Sequence, residues 1–206
     1  MRLHHHPFST NARRAVVTAF EVKLPVEFVL VDLQKREHRS PAFLKLNPTG
    51  RVPVLEDGDL VLPESHAIMA HLADMASQRT LYPIEPQLRA QVNRWMFWCA
   101  AHFQPATSVL NWQRVVKPII GLGGPDPKEV ERGERLIAET AGLLDAHLAE
   151  RDWIVGAHMT LADISLATPL LSTQRAWLPV LEYRHLQRWY GRMQELESWR
   201  KAAALA

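Results

Sequence analysis

The segment from residue 47 to residue 68 constrains the fold more than any other part of this chain. It reads NPTGRVPVLEDGDLVLPESHAI. Asp57-Gly58 between two apolar runs is a strong hairpin signal, and Ser65 is a residue type that caps a following helix. The bond before Pro53 is one at which a cis peptide costs only about 0.5–1 kcal/mol. The segment therefore predicts a strand, a tight turn, a second strand and a helix.

The same segment carries groups that suit a peptide ligand. A cis bond at Pro53 would turn the backbone of Val52 toward solvent, where its N–H and C=O can pair with an extended peptide as an added strand. The carboxylate of Glu64 can accept an ammonium group, and Ser65 with the N-terminus of its helix can hold a carboxylate. Together these residues predict a site for a peptide with an α-amino acid head.

Composition and charge exclude several other classes of protein. The 206 residues are 47% hydrophobic, which is ample for one large or two small packed domains. The net charge is only +2, and the 24 basic and 22 acidic residues are interspersed, so no nucleic-acid partner is predicted. The single cysteine, Cys99, cannot form an internal disulfide and is expected to be a small buried residue. No apolar run is long enough to span a membrane, so no membrane partner is predicted.

The first residues, MRLHHH, are unlike the apolar centre of a secretory signal. We therefore expect a cytoplasmic protein. Three adjacent histidines are too few for a usual expression tag, and they run directly into Pro7, although a tag remnant stays open as an alternative. The ten histidines of the chain show no spacing typical of a metal site, so no metal is predicted.

Residues 1–76 alternate strand and helix signals. The predicted elements are a strand at 3–6, a helix at 11–22, a strand at 26–32, a short helix at 42–46, the hairpin, and a helix at 65–76. A βαβ order followed by ββα is the thioredoxin-like arrangement, with a mixed sheet. The three histidines of the first strand are unusual, because a central strand is normally almost continuously apolar.

The rest of the chain is predicted to be helical. Residues 77–88 contain Pro83 and Pro86 among polar residues and are typical of a linker. Residues 89–206 are predicted to form an all-helical bundle. The fold class expected is thus α/β plus all-α, with a thioredoxin-like domain at residues 1–76 and a helical domain after the linker.

Three features of the helical part are specific enough to test. Pro105 should kink or interrupt the first long helix. A second long helix is predicted at residues 128–150. A capping box is expected at Thr160, with Asp163 in the position that Glu or Gln usually holds.

Six segments resemble motifs of the cytosolic glutathione transferases. They are HPFSTNARR at residues 6–14, KREHRSP at 35–41, the peptide-site segment at 47–68, WMFW at 95–98, HFQP at 102–105 and TLAD at 160–163. The first resembles the catalytic-serine turn and the second a loop of the phi and theta-like classes. The resemblance runs nearly end to end and points to a serine-type, phi/theta-like glutathione transferase.

The resemblance assigns Ser9 the stabilisation of the glutathione thiolate. A free thiol has a pKa near 8.5, so only about 3% is ionised at pH 7. Lowering that pKa by ~2 units takes about 2.7 kcal/mol and raises the thiolate to roughly three quarters. A hydroxyl donor at a helix N-terminus favours the anion. From the residues alone, a simple helix cap is the favoured role for Ser9. The resemblance of the surrounding motifs favours the catalytic role instead. With no cysteine in the turn, thiol exchange is disfavoured.

The resemblance also implies a glutathione-binding set. Its members are Phe8, Ser9, Glu37, His38, Arg51, Val52, Pro53, Glu64 and Ser65. Glu37-His38 and Arg51-Val52 would bind the glycine and cysteinyl parts, and Glu64-Ser65 the γ-glutamyl head. Arg51 stands where glutamine is common in phi-like sequences. It is predicted to pair with the glycine carboxylate, and a solvated side chain is an equal alternative.

The second substrate is expected to be an apolar electrophile bound between the two domains. Its predicted contacts are Phe8, Trp98, His102 and Phe103. Aromatic residues at helical spacing are more often core than pocket, so a core role is the alternative for each. Thr160 and Asp163 resemble a structural cap and are left out of the active site.

The predicted reaction is attack of the glutathione thiolate on the electrophile, with no covalent enzyme intermediate and no metal. A homodimer and a role in detoxification are implied by the resemblance. A step in a metabolic pathway is an alternative to detoxification. Peroxide reduction, isomerisation or dehalogenation at the same site is an alternative, and so is a non-catalytic binding or interaction module. The joint presence of Ser9, Val52-Pro53 and Glu64-Ser65 favours an enzyme.

Overall fold

A computed structural model, which describes residues 1–205, divides the chain into two compact units. The first comprises Met1–Ile84 with the segment from Glu195 onward, and the second comprises Glu85–Gln194. The domain limits predicted at residues 76 and 88 remain a prediction, because compactness does not show which segments fold independently.

A four-stranded mixed sheet forms the centre of the first unit. Its strands are β1 (Arg2–His5), β2 (Glu27–Leu30), β3 (Val54–Asp57) and β4 (Leu60–Pro63). The order is β2-β1-β3-β4, with β1 parallel to β2 and the other pairs antiparallel. Leu3 lies opposite Leu55 in the register, and both are fully buried.

Eleven helices are present in the described part of the chain. They are α1 (Thr10–Val22), α2 (Pro41–Leu46), α3 (Ser65–Met75), α4 (Pro86–Trp98), α5 (Gln104–Asn111), α6 (Lys117–Ile119), α7 (Pro127–His147), α8 (Leu161–Ala167), α9 (Thr173–Ala176), α10 (Arg184–Glu195) and α11 (Glu197–Ala204). None of those within residues 1–205 is long and apolar enough to cross a membrane.

The predicted fold class is confirmed: a thioredoxin-like domain with a mixed sheet precedes a helical domain. The predicted strand at 26–32 is shorter than expected, and the long helix predicted at 128–150 ends at His147. The interruption predicted at Pro105 is present. A π-helical segment at Cys99–Phe103 separates α4 from α5. Pro105 lies in the first turn of α5, where it has no N–H to donate.

The histidines of β1 are accommodated by aromatic and acidic neighbours. His4 and His5 are both buried and face opposite sides of the strand, as the two-residue period of a strand requires. The rings of His4 and Phe43 form a T-shaped pair, with 6.0 Å between ring centroids, and Nε2 of His4 lies 2.6 Å from a carboxylate oxygen of Glu56. His5 makes the same kind of contact with Phe28 at 5.9 Å. Imidazole rings therefore fill core positions where aliphatic side chains are usual.

A buried carboxylate organises the start of α8 in the second unit. One oxygen of Asp163 accepts the N–H and hydroxyl of Thr160, at 2.8 and 3.1 Å. The other accepts the N–H of Ile154 and the indole N–H of Trp189, both at 2.9 Å. This confirms the predicted capping box. Cys99 is likewise buried, and its thiol donates to the carbonyl of Ser165.

Candidate active site

The turn between β1 and α1 places Ser9 at the start of a helix. Ser9 is the N-cap of α1, and its Oγ accepts the N–H of Ala12 at 3.1 Å. Its backbone N–H donates to the carbonyl of His6 at 3.0 Å. Accepting a hydrogen bond uses a lone pair of the hydroxyl and leaves its proton available for donation. The capping role and a thiolate-stabilising role are therefore compatible in one side chain.

The segment before β3 presents backbone groups that the protein itself does not use. The bond between Val52 and Pro53 is cis. Within residues 1–205, no protein group hydrogen-bonds to the backbone N–H or C=O of Val52. The buried side chain of Asn47 donates to the carbonyl of Arg51 at 2.8 Å and fixes the approach to this bond, while the Arg51 side chain is exposed.

The start of α3 differs from the sequence prediction by one residue. Ser65 was predicted to cap the helix, and this is wrong: Glu64 occupies the N-cap position and Ser65 is the first helical residue. Glu64 has φ +73° and ψ 111°, a conformation that costs a non-glycine residue on the order of 1–3 kcal/mol. Among residues 1–205 the Glu64 carboxylate and the Ser65 hydroxyl have no protein partner.

A short loop after β2 presents His38. Glu37 closes this loop, because its side chain accepts the N–H of Asp32 at 2.7 Å and its own N–H donates to the Asp32 carbonyl. The Nδ1 atom of His38 is buried and without a partner among the described residues. Burial lowers the pKa of His38, and Arg39 and Arg36 lower it further. A neutral imidazole at this position can donate or accept a hydrogen bond.

Family profiles match both parts of the chain. The profile described as "Glutathione S-transferase, N-terminal domain" matches residues 1–74, and "Glutathione S-transferase, C-terminal domain" matches residues 72–197. The chain belongs to the glutathione S-transferase family. Membership agrees with the predicted phi/theta-like class and confirms the predicted glutathione transferase function.

Named relatives of the family are similar over most of their length. Glutathione S-transferase 3 of Zea mays is 34% identical, covering 99% of this chain and 93% of the relative. Glutathione S-transferase theta-2B of Homo sapiens is 32% identical, covering 90% and 77%. A solved glutathione S-transferase-I bound with lactoylglutathione superposes with a TM-score of 0.88 at 28% identity, covering 100% of this chain and 99% of the other.

Two residues that the sequence prediction did not include support the transferase site. Arg14 is 1% exposed and its Nη1 lies 2.8 Å from Nε2 of His66, which follows Ser65 in the first turn of α3. Burial lowers the pKa of His66 to about 3, with Arg14 adding to the effect, so the ring is neutral and the guanidinium carries the charge. The sequence signal was one of two adjacent arginines, Arg13 and Arg14, before the apolar run of α1. The partner of Arg14, His66, is 52 residues away in the chain, so the pairing could not be predicted from the sequence.

The predicted electrophile contacts are distributed over both units of the transferase. Phe8 belongs to the first unit and is 64% exposed. Trp98 in the second unit stacks on Phe103, with 5.9 Å between centroids and 16° between planes, and Phe103 is fully buried. His102 is exposed and lies 6.1 Å from Trp98, between ring centroids. Phe103 thus packs as a core residue in this structure, and the pocket stays a prediction.

Proposed function

We propose that this transferase binds glutathione along the edge formed by β3 and the starts of α1 and α3, and that Ser9 activates its thiol. The observation that carries the proposal is the geometry of the Ser9 hydroxyl. It sits at the N-terminus of α1, it accepts from Ala12, and its proton remains available for a sulfur atom. The activated thiolate attacks an apolar electrophile.

The unpartnered groups of the first unit support an extended pose for the tripeptide. The free backbone groups of Val52 suit the cysteinyl residue, which would pair with them as a short antiparallel strand. Glu64 suits the γ-glutamyl ammonium group, and the Ser65 hydroxyl at the N-terminus of α3 suits its carboxylate. His38 and Arg51 suit the glycine carboxylate.

Electrostatics favour an anion at the start of α3 and at the start of α1. The buried guanidinium of Arg14 contacts the first turn of α3, and a helix N-terminus is itself equivalent to about half a positive charge. A hydrogen bond from Ser9 adds to the dipole of α1 at the thiolate. A shift of the thiol pKa by ~2 units needs only about 2.7 kcal/mol, which one charge-assisted hydrogen bond and one helix dipole can supply.

The second substrate, the assembly and the cellular compartment are proposed on family grounds. Phe8 is a large exposed aromatic next to Ser9 and suits an apolar electrophile, with Trp98, His102 and Phe103 as the other proposed contacts. We propose a cytoplasmic homodimer that detoxifies such compounds. Sedimentation at working concentration tests the assembly, and a single monomeric boundary would contradict it.

The activation step is tested by ultraviolet difference absorbance of bound glutathione as the pH is varied. Wild type should show thiolate absorbance with a pKa clearly below that of free glutathione. Ser9→Gly removes the hydroxyl while costing the helix cap only a few tenths of a kcal/mol, so it should bind glutathione without the shift. Thr10→Val removes the neighbouring hydroxyl and is the matched control. An unshifted thiol in wild type would favour a binding module without turnover.

A further inference from the structure

The turn that carries Ser9 is held by one residue, His6. The carbonyl of His6 accepts the N–H of Ser9 at 3.0 Å, and Nδ1 of its imidazole accepts the N–H of Phe8 at 3.2 Å. The ring also forms a T-shaped pair with the ring of Phe8, with 5.3 Å between centroids. His6 is 8% exposed and so holds a fixed position at the end of β1. The backbone N–H groups of Phe8 and Ser9 therefore both donate to His6.

The sequence of the turn explains why a side-chain acceptor is needed. In the four residues His6-Pro7-Phe8-Ser9, Pro7 fixes one backbone angle and has no N–H of its own. The carbonyl of His6 is engaged by Ser9, so the Phe8 N–H needs a second acceptor. Asn and Asp side chains commonly supply one at this position, by accepting the N–H two residues ahead. Here an imidazole nitrogen does the same.

We propose that His6 is a positioning residue for Ser9, and that its neutral imidazole fixes the turn that aims the Ser9 hydroxyl at the glutathione sulfur. The inference rests on the proposed role of Ser9. It assigns a function to His6, the residue that follows β1, which neither the fold nor the glutathione-binding set requires. His4 and His5 fill the core, whereas the imidazole of His6 bonds to the turn.

The hydrogen bond also fixes the protonation state of His6. A nitrogen that accepts must carry a lone pair, so the proton of the neutral ring lies on Nε2. Burial lowers the pKa of His6, His38 before α2 lowers it further, and Asp32 after β2 raises it. The other nearby groups are His5 in β1 and Arg13 of α1, which acts on His5. An imidazolium cannot accept from Phe8, so acid should release the turn.

Two substitutions separate the acceptor from the ring. His6→Asn keeps an oxygen that accepts the Phe8 N–H but does not titrate, whereas His6→Phe keeps a ring and loses the acceptor. We expect His6→Phe to raise the pKa of bound glutathione by about one unit and to lower kcat/KM at pH 6.5 by about tenfold. His6→Asn should stay within about twofold of wild type. His5→Phe makes the same chemical change one residue earlier and is the matched control.

The result that overturns the proposal is a normal thiolate pKa in a folded His6→Phe protein, or equal impairment of His6→Asn and His6→Phe. A second measurement does not depend on glutathione. In ¹⁵N spectra of the free protein at pH 7, His6 should be neutral with the proton on Nε2. As the pH is lowered, the Phe8 amide shift of wild type should change together with the protonation of His6. Over the same pH range, the Phe8 amide shift of His6→Asn should stay constant. A proton on Nδ1 would overturn the inference. A normal thiolate pKa in Ser9→Gly would instead overturn the proposed function.

Discussion

Nη1 of Arg14 and Nε2 of His66 lie 2.8 Å apart and join α1 to α3. The guanidinium is almost completely buried, and since it can only donate, the imidazole nitrogen that it meets must be unprotonated. Burial and, to a lesser extent, the charge of Arg14 together lower the pKa of His66 to about 3. The pair therefore carries one positive charge under the site, and this charge belongs to Arg14.

His66 should make stability depend on pH. Its pKa falls from 6.5 in the unfolded chain to about 3 in the folded one, so the unfolded state binds more protons between these values. The contribution is fully present above pH 6.5 and is lost as the pH falls. Between pH 7.5 and pH 5 we expect wild type to lose about 2 kcal/mol more unfolding free energy than His66→Gln, which keeps an acceptor without a charge. Urea unfolding at both pH values measures the difference, and equal losses would contradict it.

Removing the carboxylate of Asp163 should destabilise the second unit. Its four hydrogen bonds come from donors that would be left buried without partners in Asp163→Ala. Each such loss costs about 1–3 kcal/mol, so we expect a decrease of about 3 kcal/mol or more in unfolding free energy. Asp152→Ala, which removes an exposed partner of Arg192, should change it by about 0.5 kcal/mol or less. Similar effects of the two substitutions would contradict the prediction.

The pH dependence from Asp163 has the opposite sign to that from His66. Burial raises its pKa from 3.8 to about 6, and the four hydrogen bonds limit the rise. The folded state therefore binds more protons between pH 4 and pH 6, and this contribution to stability is present at low pH and lost as the pH rises through 6. We expect Asp163→Asn to flatten that part of the stability profile, measured by urea unfolding at pH 4.5 and pH 7. A slope identical to that of wild type would count against a raised pKa.

The order of elements in residues 1–76 was predictable because each predicted element had a local signal, whereas α6, α9, α10 and α11 were not predicted one by one. Asp57-Gly58 fixed the hairpin, and Thr160 with Asp163 fixed the start of α8. The cap of α3 was displaced by one residue because Glu64 has a positive φ, a conformation that its residue type does not signal. The contacts of Arg14 and His6 were not predictable, because they depend on where a side chain points after the turn or helix has formed.

The conformation of Glu64 should oppose stability and serve binding. Glycine adopts a positive φ without steric cost, so Glu64→Gly is expected to raise the unfolding free energy by about 1 kcal/mol. It also removes the carboxylate proposed to accept the glutathione ammonium group, so affinity should fall about tenfold. Glu64→Gln is the matched control, because it loses the same charge but keeps a non-glycine residue at the positive φ. If Glu64→Gly is less stable than Glu64→Gln, strain at this residue is not significant.

Gly50 should be required for the loop that presents His38. It has φ +61°, and a Cβ atom there would lie 2.9 Å from the carbonyl oxygen of His38 and 2.8 Å from Nη1 of Arg39. Gly58 has nearly the same φ, +58°, with no atom within 4 Å of its Cβ position, so it provides a matched control. Both alanine variants pay the left-handed backbone cost of about 1–2 kcal/mol. Only Gly50→Ala must also displace the His38 carbonyl, so its stability should be lower and its Kd for glutathione about fivefold higher. Calorimetric titration of the two variants measures this, and equal Kd values would show that His38 does not depend on the contact.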